Sequence, residues 1–163
     1  MIELTSDATP VSRALAANGI AHSVLKHPGP LRSLEQAAEE RGQRPEQVVR
    51  SIVFRTAAGE FVMVLVAGPA QISWPQLRAY LGQSRLTTAT EEELLDVTGY
   101  TRGAVAPFGL PAPMRVLVDR GVLREEVLSM GSGVQGTTVI LRSVDLMAAL
   151  PTAEVGDFVS QVI

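Results

Sequence analysis

The chain has 163 residues, with 14 basic and 17 acidic side chains, a net charge of −3, 46% apolar residues and no cysteine. That length fits one domain able to bury a proper core without staples, and the missing cysteines exclude disulfides, thiolate zinc sites and a cysteine nucleophile. The acidic balance argues against a protein that wraps long stretches of nucleic-acid backbone, because such affinity comes from neutralised phosphates, although it leaves room for one that grips only the end of an RNA.

No stretch approaches the ~20 consecutive apolar residues that span a bilayer. The opening MIELTSDATPVSR lacks the basic and then apolar layout of a secretory signal. A soluble cytoplasmic protein with no membrane and no DNA partner is expected.

In chain order, Thr9 reads as the cap of a helix with Pro10 in its first turn, stopped by Gly19. Residues 20–26 alternate loosely, as a strand does. Ser33 and Gln36 read as a capping box that opens a helix ending near Gly42. The apolar runs 48–54 and 61–66 flank a short turn containing Gly59, which predicts an antiparallel hairpin. The second run is apolar throughout and fits a strand covered on both faces. Ser73 with Gln76, and Thr90 with Glu93, repeat the capping device, with Gly99 closing the second of these helices. Residues 114–119, 127–130 and 137–142 read as strands, 143–150 as a short helix and 154–163 as another. Several connections are too short for parallel crossovers. The expected fold class is therefore α/β, one domain over residues 1–163 with a central mixed, largely antiparallel sheet surrounded by helices.

Two glycine-rich loops stand out. Residues 99–111 hold three glycines and two prolines between a helix and a strand. Such a loop is either a well-ordered connection or a rigid display of N–H groups for an anion. Residues 130–136 (MGSGVQG) lie between two strands, so a hairpin turn explains them and a dinucleotide or P-loop site does not. Ser132 would need a base beside it to act as a nucleophile, and His22 and His27 are both distant in sequence. With two histidines and no cysteine, a transition-metal site is not expected. His27 leaves a strand for the rigid Pro28-Gly29-Pro30 turn and is either a pocket residue or a surface one. Arg50 lies inside an apolar run, where it is either solvated at an edge or matched to an anion.

The ordered set of motifs is more specific than any one of them. His27-Pro28, the stretch SLEQAAEERG at 33–42, PEQVVRSIVF at 45–54, TGY at 98–100 leading into GAVAPFG at 103–109, and Gly131-Ser132-Gly133 followed by Val139-Ile140-Leu141 together resemble the YbaK/prolyl-tRNA-synthetase-associated domain over roughly residues 10–150. The resemblance implies a trans-editing aminoacyl-tRNA deacylase. Such an enzyme hydrolyses the ester of a small mischarged amino acid on tRNA, including tRNA for proline. It also implies that Arg50 stands where the family's central lysine is expected, and that Gly103 and Pro107 are the glycine and proline of the signature loop. These three are the catalytic candidates. His27, Ala104, Val105, Phe108, Gly131, Ser132 and Gly133 are the substrate-binding candidates. No cofactor, metal or protein nucleophile is implied, since water or a ribose hydroxyl attacks. The implied partners are a charged tRNA acceptor end and an aminoacyl-tRNA synthetase. Arginine for lysine is not a conservative exchange, so a binding module that has lost hydrolysis remains the alternative.

Overall fold

The computed structural model describes residues 1–160. Nine strands and five helices follow one another as β1 (Glu3–Thr5), α1 (Pro10–Ala17), β2 (Ser23–Lys26), α2 (Leu34–Glu40), β3 (Val49–Thr56), β4 (Phe61–Ala67), α3 (Trp74–Leu81), β5 (Leu86–Thr88), α4 (Glu91–Thr98), β6 (Arg115–Asp119), β7 (Val127–Gly131), β8 (Thr137–Arg142), α5 (Ser143–Ala149) and β9 (Glu154–Gly156). The mixed α/β class read from the sequence holds. Its strands divide between two sheets, a four-stranded antiparallel one in the order β1-β2-β8-β7 and a five-stranded mixed one in the order β5-β3-β4-β6-β9. An isolated parallel bridge between Val48 and Ser129 joins them.

The larger sheet is built around β4, the apolar run 61–66. Along it Met63 and Leu65 enter one apolar cluster, and Val62, Val64 and Val66 enter another on the opposite face. Alternation along a pleated strand produces this division. Each side chain buried in this way contributes about 1.5–3 kcal/mol. The strand pairs antiparallel with β3 and parallel with β6. The β4–β6 crossover is long enough to carry two helices, and the β3–β4 hairpin turns through Gly59.

The helix starts follow the caps in the sequence, with differences in detail. Thr90 and Glu93 form both halves of a capping box at α4. At α2, Ser33 Oγ accepts from the Gln36 amide at 3.0 Å, but the Gln36 side chain accepts from the Arg32 amide. At α3 only the Ser73 half forms. No helix among the described residues is long and apolar enough to cross a membrane.

The helix expected over 154–163 is corrected by the structure. Residues Glu154–Gly156 form β9, parallel to Leu117, Val118 and Asp119 of β6, and Val159 bridges Ile72. Residues 161–163 lie outside the described part. The strand wins because Glu154 has a specific partner there. Arg115 grips its two carboxylate oxygens at 2.7 and 2.8 Å, and the Tyr80 hydroxyl donates to it at 2.8 Å. These bonds, the Arg115 pair first, hold the Glu154 carboxyl down at about 2. A depressed carboxylate stabilises the fold fully above its unfolded-state value, and that contribution is lost as pH falls toward the folded one. Both partners are partly exposed, so Glu154→Gln is expected to cost only about 0.5–1 kcal/mol at neutral pH. The difference in urea midpoint between wild type and variant should close as pH drops from 4.5 toward 2.

Candidate functional site

Where the two sheets meet, a cavity of about 450 Å³ opens between the start of β3, the two ends of α2, the β5–α4 segment, the 99–111 loop and the end of β7. Its size falls in the usual range for small-molecule sites. Val49, Val53, Ala89, Leu94, Val105 and Met130 supply apolar wall. The charged side chains lining it are Arg41, Arg50 and Arg102, with no carboxylate among them. In a chain of net charge −3, this concentrates positive potential in one concave place, which draws in anionic groups.

The arginines are held differently. Arg50 Nε donates to the Gly68 carbonyl at 2.8 Å, and Nη2 donates to the Ala70 carbonyl. Arg50 thus ties β3 to the segment after β4, and burial lowers its pKa from the usual arginine value. Arg41, at the end of α2, donates from Nε to His27 Nε2 at 3.0 Å and from Nη1 to Ser129 Oγ at 2.9 Å. Burial pushes its guanidinium down to about 10, against the nearby charge of Glu40, so it stays protonated at neutral pH. The Arg102 side chain is exposed at the rim. Ser51, also in the wall, has a buried hydroxyl oxygen with no hydrogen-bond partner. A buried unpaired hydroxyl costs free energy unless a ligand completes it.

The 99–111 loop is fixed from several sides. The Tyr100 hydroxyl donates to the Phe108 carbonyl at 2.6 Å, the Ala104 amide to the Thr101 carbonyl at 3.0 Å, and Gln135 Nε2 to Thr101 Oγ1 and the Arg102 carbonyl at 2.8 and 2.7 Å. Gly103 has φ +90°, a value side-chain-bearing residues rarely adopt. Among the described residues, neither the Gly103 nor the Val105 amide donates to another residue. Both residues line the cavity. The end of β7 lies directly against this loop. A Cβ at Gly131 would stand 2.6 Å from the carbonyl carbon and oxygen of Ala104 and would overlap the Val105 carbonyl oxygen. Only glycine permits that approach.

The structure brings together some of the sequence candidates and separates others. Arg50, Gly103, Val105 and Gly131 line the cavity. His27, with its side chain fully buried, touches the cavity only through Arg41. Ala104 and Phe108, within the loop, are buried. Pro107 is buried and lines a different groove, with Met114 and Leu150. Gly133 donates its amide to the Ala104 carbonyl at 2.9 Å, which ties the two glycine-rich loops together. Ser132 is fully buried, bonded to Val134 and close to Thr137 Oγ1, with no histidine beside it. Nothing in that surrounding would activate a nucleophile. Arg41, Arg102 and Ser51 escaped sequence reasoning. A basic residue at the end of a helix is common as a complement to the helix dipole, so nothing local sets Arg41 apart.

Against known proteins, the sequence profile of the aminoacyl-tRNA editing domain family matches residues 28–149. The proline–tRNA ligase of Thermosipho melanesiensis is 32% identical over 98 residues, covering 60% of this chain and 17% of the ligase. That of Thermosipho africanus is 36% identical over 92 residues, covering 56% of this chain and 16% of the ligase. The chain thus spans about a sixth of the length of these relatives. A solved structure described as a candidate trans-editing enzyme for prolyl-tRNA synthetase superposes with a TM-score of 0.86 at 27% identity, covering 98% of this chain and all of that one. With the profile spanning most of the chain, including both loops and the strand that carries Arg50, this protein belongs to the aminoacyl-tRNA editing domain family.

Proposed function

We propose that this chain hydrolyses the ester joining a small, wrongly attached amino acid to the terminal ribose of a tRNA. The observation that carries this reading is the cavity itself. It has apolar walls for a small side chain, three arginines and no carboxylate, and it is bordered by Gly103 and Val105, whose amides have no partner among the described residues. The oxygen of a water adds to the ester carbon and the bond to the ribose oxygen breaks. Of the two protons of the water, one ends on the ribose oxygen and the other passes to solvent, and the amino acid leaves as its carboxylate. Negative charge grows on the former carbonyl oxygen in between, where fixed N–H groups and a desolvated cation stabilise it most. Such a second site answers a physical limit, since one methylene in a synthetase pocket discriminates by only about 1–3 kcal/mol.

In this reading Arg50 acts as a fixed charge beside the β3 wall. It cannot serve as a neutral base, because arginine stays protonated. The relatives that share this domain are proline–tRNA ligases, so tRNA for proline is the first substrate to try and a synthetase the first partner. The cytoplasm, where charged tRNA is made, is the matching compartment. The occupied donors of Arg50 favour a second reading, a module that holds an aminoacyl-tRNA end without hydrolysing it.

A panel of tRNAs charged with alanine, serine, cysteine, threonine and proline separates the two. Turnover by wild type, with loss in Arg50→Ala, is the expected result. An inert wild type to which Arg50→Lys restores hydrolysis would establish the binding module instead. Equal turnover in Arg50→Ala would remove Arg50 from the chemistry.

A further inference from the structure

Resting on the deacylase reading, we propose that Arg41 is a further catalytic residue, its Nη2 donating to the ester oxygen on which negative charge grows as water adds. Arg41 lines the cavity, and Nη2 is its one guanidinium nitrogen with no partner among the described residues. The other two limbs are fixed by His27 and Ser129, so the planar fork is held in place while one donor stays open.

The support behind it is specific. His27 Nε2 accepts from Arg41, which places the ring proton on Nδ1, and Nδ1 donates to Glu40 Oε1 at 2.7 Å. Glu40 Oε2 accepts from Gln36 Nε2 at 2.9 Å. Hydrogen bonds from His27 and Gln36 hold the Glu40 carboxyl below its usual value and keep it ionised. Both Glu40 oxygens are therefore engaged away from Arg41, and no carboxylate forms an ion pair with it among the described residues. A half-buried cation with no direct ion pair, offset only by the nearby charge of Glu40, is costly. An oxyanion forming opposite it relieves that cost only as the reaction proceeds, which is the differential stabilisation that raises kcat. Arg50 is held in the same way, with two of its nitrogens on backbone carbonyls, so each arginine keeps one nitrogen without a partner among the described residues.

The test is steady-state deacylation by wild type, Arg41→Gln, Arg41→Lys and Arg41→Ala on whichever charged tRNA wild type turns over. The expected result is a kcat about a hundredfold lower in Arg41→Gln with KM changed less than about threefold. Arg41→Lys should fall in between, and added guanidinium ion should restore part of the turnover of Arg41→Ala. A purely structural role would lower thermal stability without any response to guanidinium. A kcat within about twofold of wild type, or a loss confined to KM, overturns the assignment. If Arg41→Gln does not fold, wild type titrated with an amide-linked alanyl adenosine that cannot be hydrolysed decides the matter. A shift of the Arg41 Nε–H resonance supports the contact, and none at saturation overturns it. A wild type inert on every tRNA removes the deacylase reading and this role together. Normal wild-type turnover with undiminished Arg41→Gln removes this role alone.

Discussion

Gly131→Ala is expected to damage both stability and deacylation, although it adds a single methyl group. The end of β7 runs against the backbone of the 99–111 loop, and the new Cβ would lie 2.6 Å from the Ala104 carbonyl carbon and oxygen. Those atoms belong to backbone and cannot rotate aside as a flexible side chain would. The loop must move, and overpacking of this kind costs about 1–3 kcal/mol. The displaced segment also carries Gly103 and Val105, which line the cavity. A shift of about 1 Å at a positioning element lowers turnover by up to ~100-fold. Gly29→Ala is the matched control, since a Cβ there meets nothing within 4 Å, and a surface change of that sort stays within about ±0.5 kcal/mol. Urea midpoints and kcat/KM of both variants decide the point. Unchanged turnover in Gly131→Ala would mean that the loop amides do not act on the substrate.

Gly131 shows what a sequence carries and what it leaves out. The glycine-rich stretch 130–136 reads locally as a hairpin turn, and β7 and β8 do pair antiparallel around it. What cannot be read is that the loop from residues 99–111 lies across its mouth, because that contact joins segments some thirty residues apart with no shared periodicity. The local elements are legible for a plain reason. Each rests on a short-range pattern, such as the cap at Thr90, the left-handed stop at Gly99 or the doubly covered run in β4. The short strands β1 and β5, three residues each, lack a pattern long enough to register. The division into two sheets depends on strand pairing, which only tertiary packing decides.

The site divides along the same line. Arg50 and the signature loop were visible because the resemblance fixes their positions in the chain. Arg41 lies within the stretch 33–42 that carries that resemblance, yet nothing local separates a helix-ending arginine that faces solvent from one that turns back under His27. Its meaning comes from Ser129, 88 residues away, and from His27, which a sequence view places at a turn. Pro107 shows the opposite case. It is part of the loop motif, but its ring helps form the neighbouring groove, so its contribution to the cavity is to fix the loop's path.

Far from the cavity, Asp119→Ala is expected to be the most destabilising single change outside the apolar clusters. Asp119 ends β6 and is 5% exposed. Its Oδ2 accepts from the Gly121 amide at 2.9 Å, and its Oδ1 accepts from the Phe158 amide at 2.8 Å. One carboxylate thus closes the turn after β6 and pins the segment that follows β9. Phe158, fully buried in the second apolar cluster, in turn accepts from the Ser73 amide at 2.8 Å and braces the start of α3. Alanine would remove both acceptors at once and leave two amides without partners, at a cost of about 3 kcal/mol. In a protein of this size that lowers the melting temperature by roughly 6–12 °C. Asp119→Asn keeps one oxygen acceptor but turns an NH₂ toward the other amide, so it should recover about half of the loss by the same accounting. Asp119 is not among the residues lining the cavity, and well below the melting temperature kcat should stay within about twofold of wild type, as for independent sites. Thermal melts and deacylation measured on the same preparations make the comparison. A fall in kcat that tracks the loss of stability would show that the C-terminal strand and the cavity share one cooperative unit, whereas stability lost with kcat intact would show that the brace serves the fold alone.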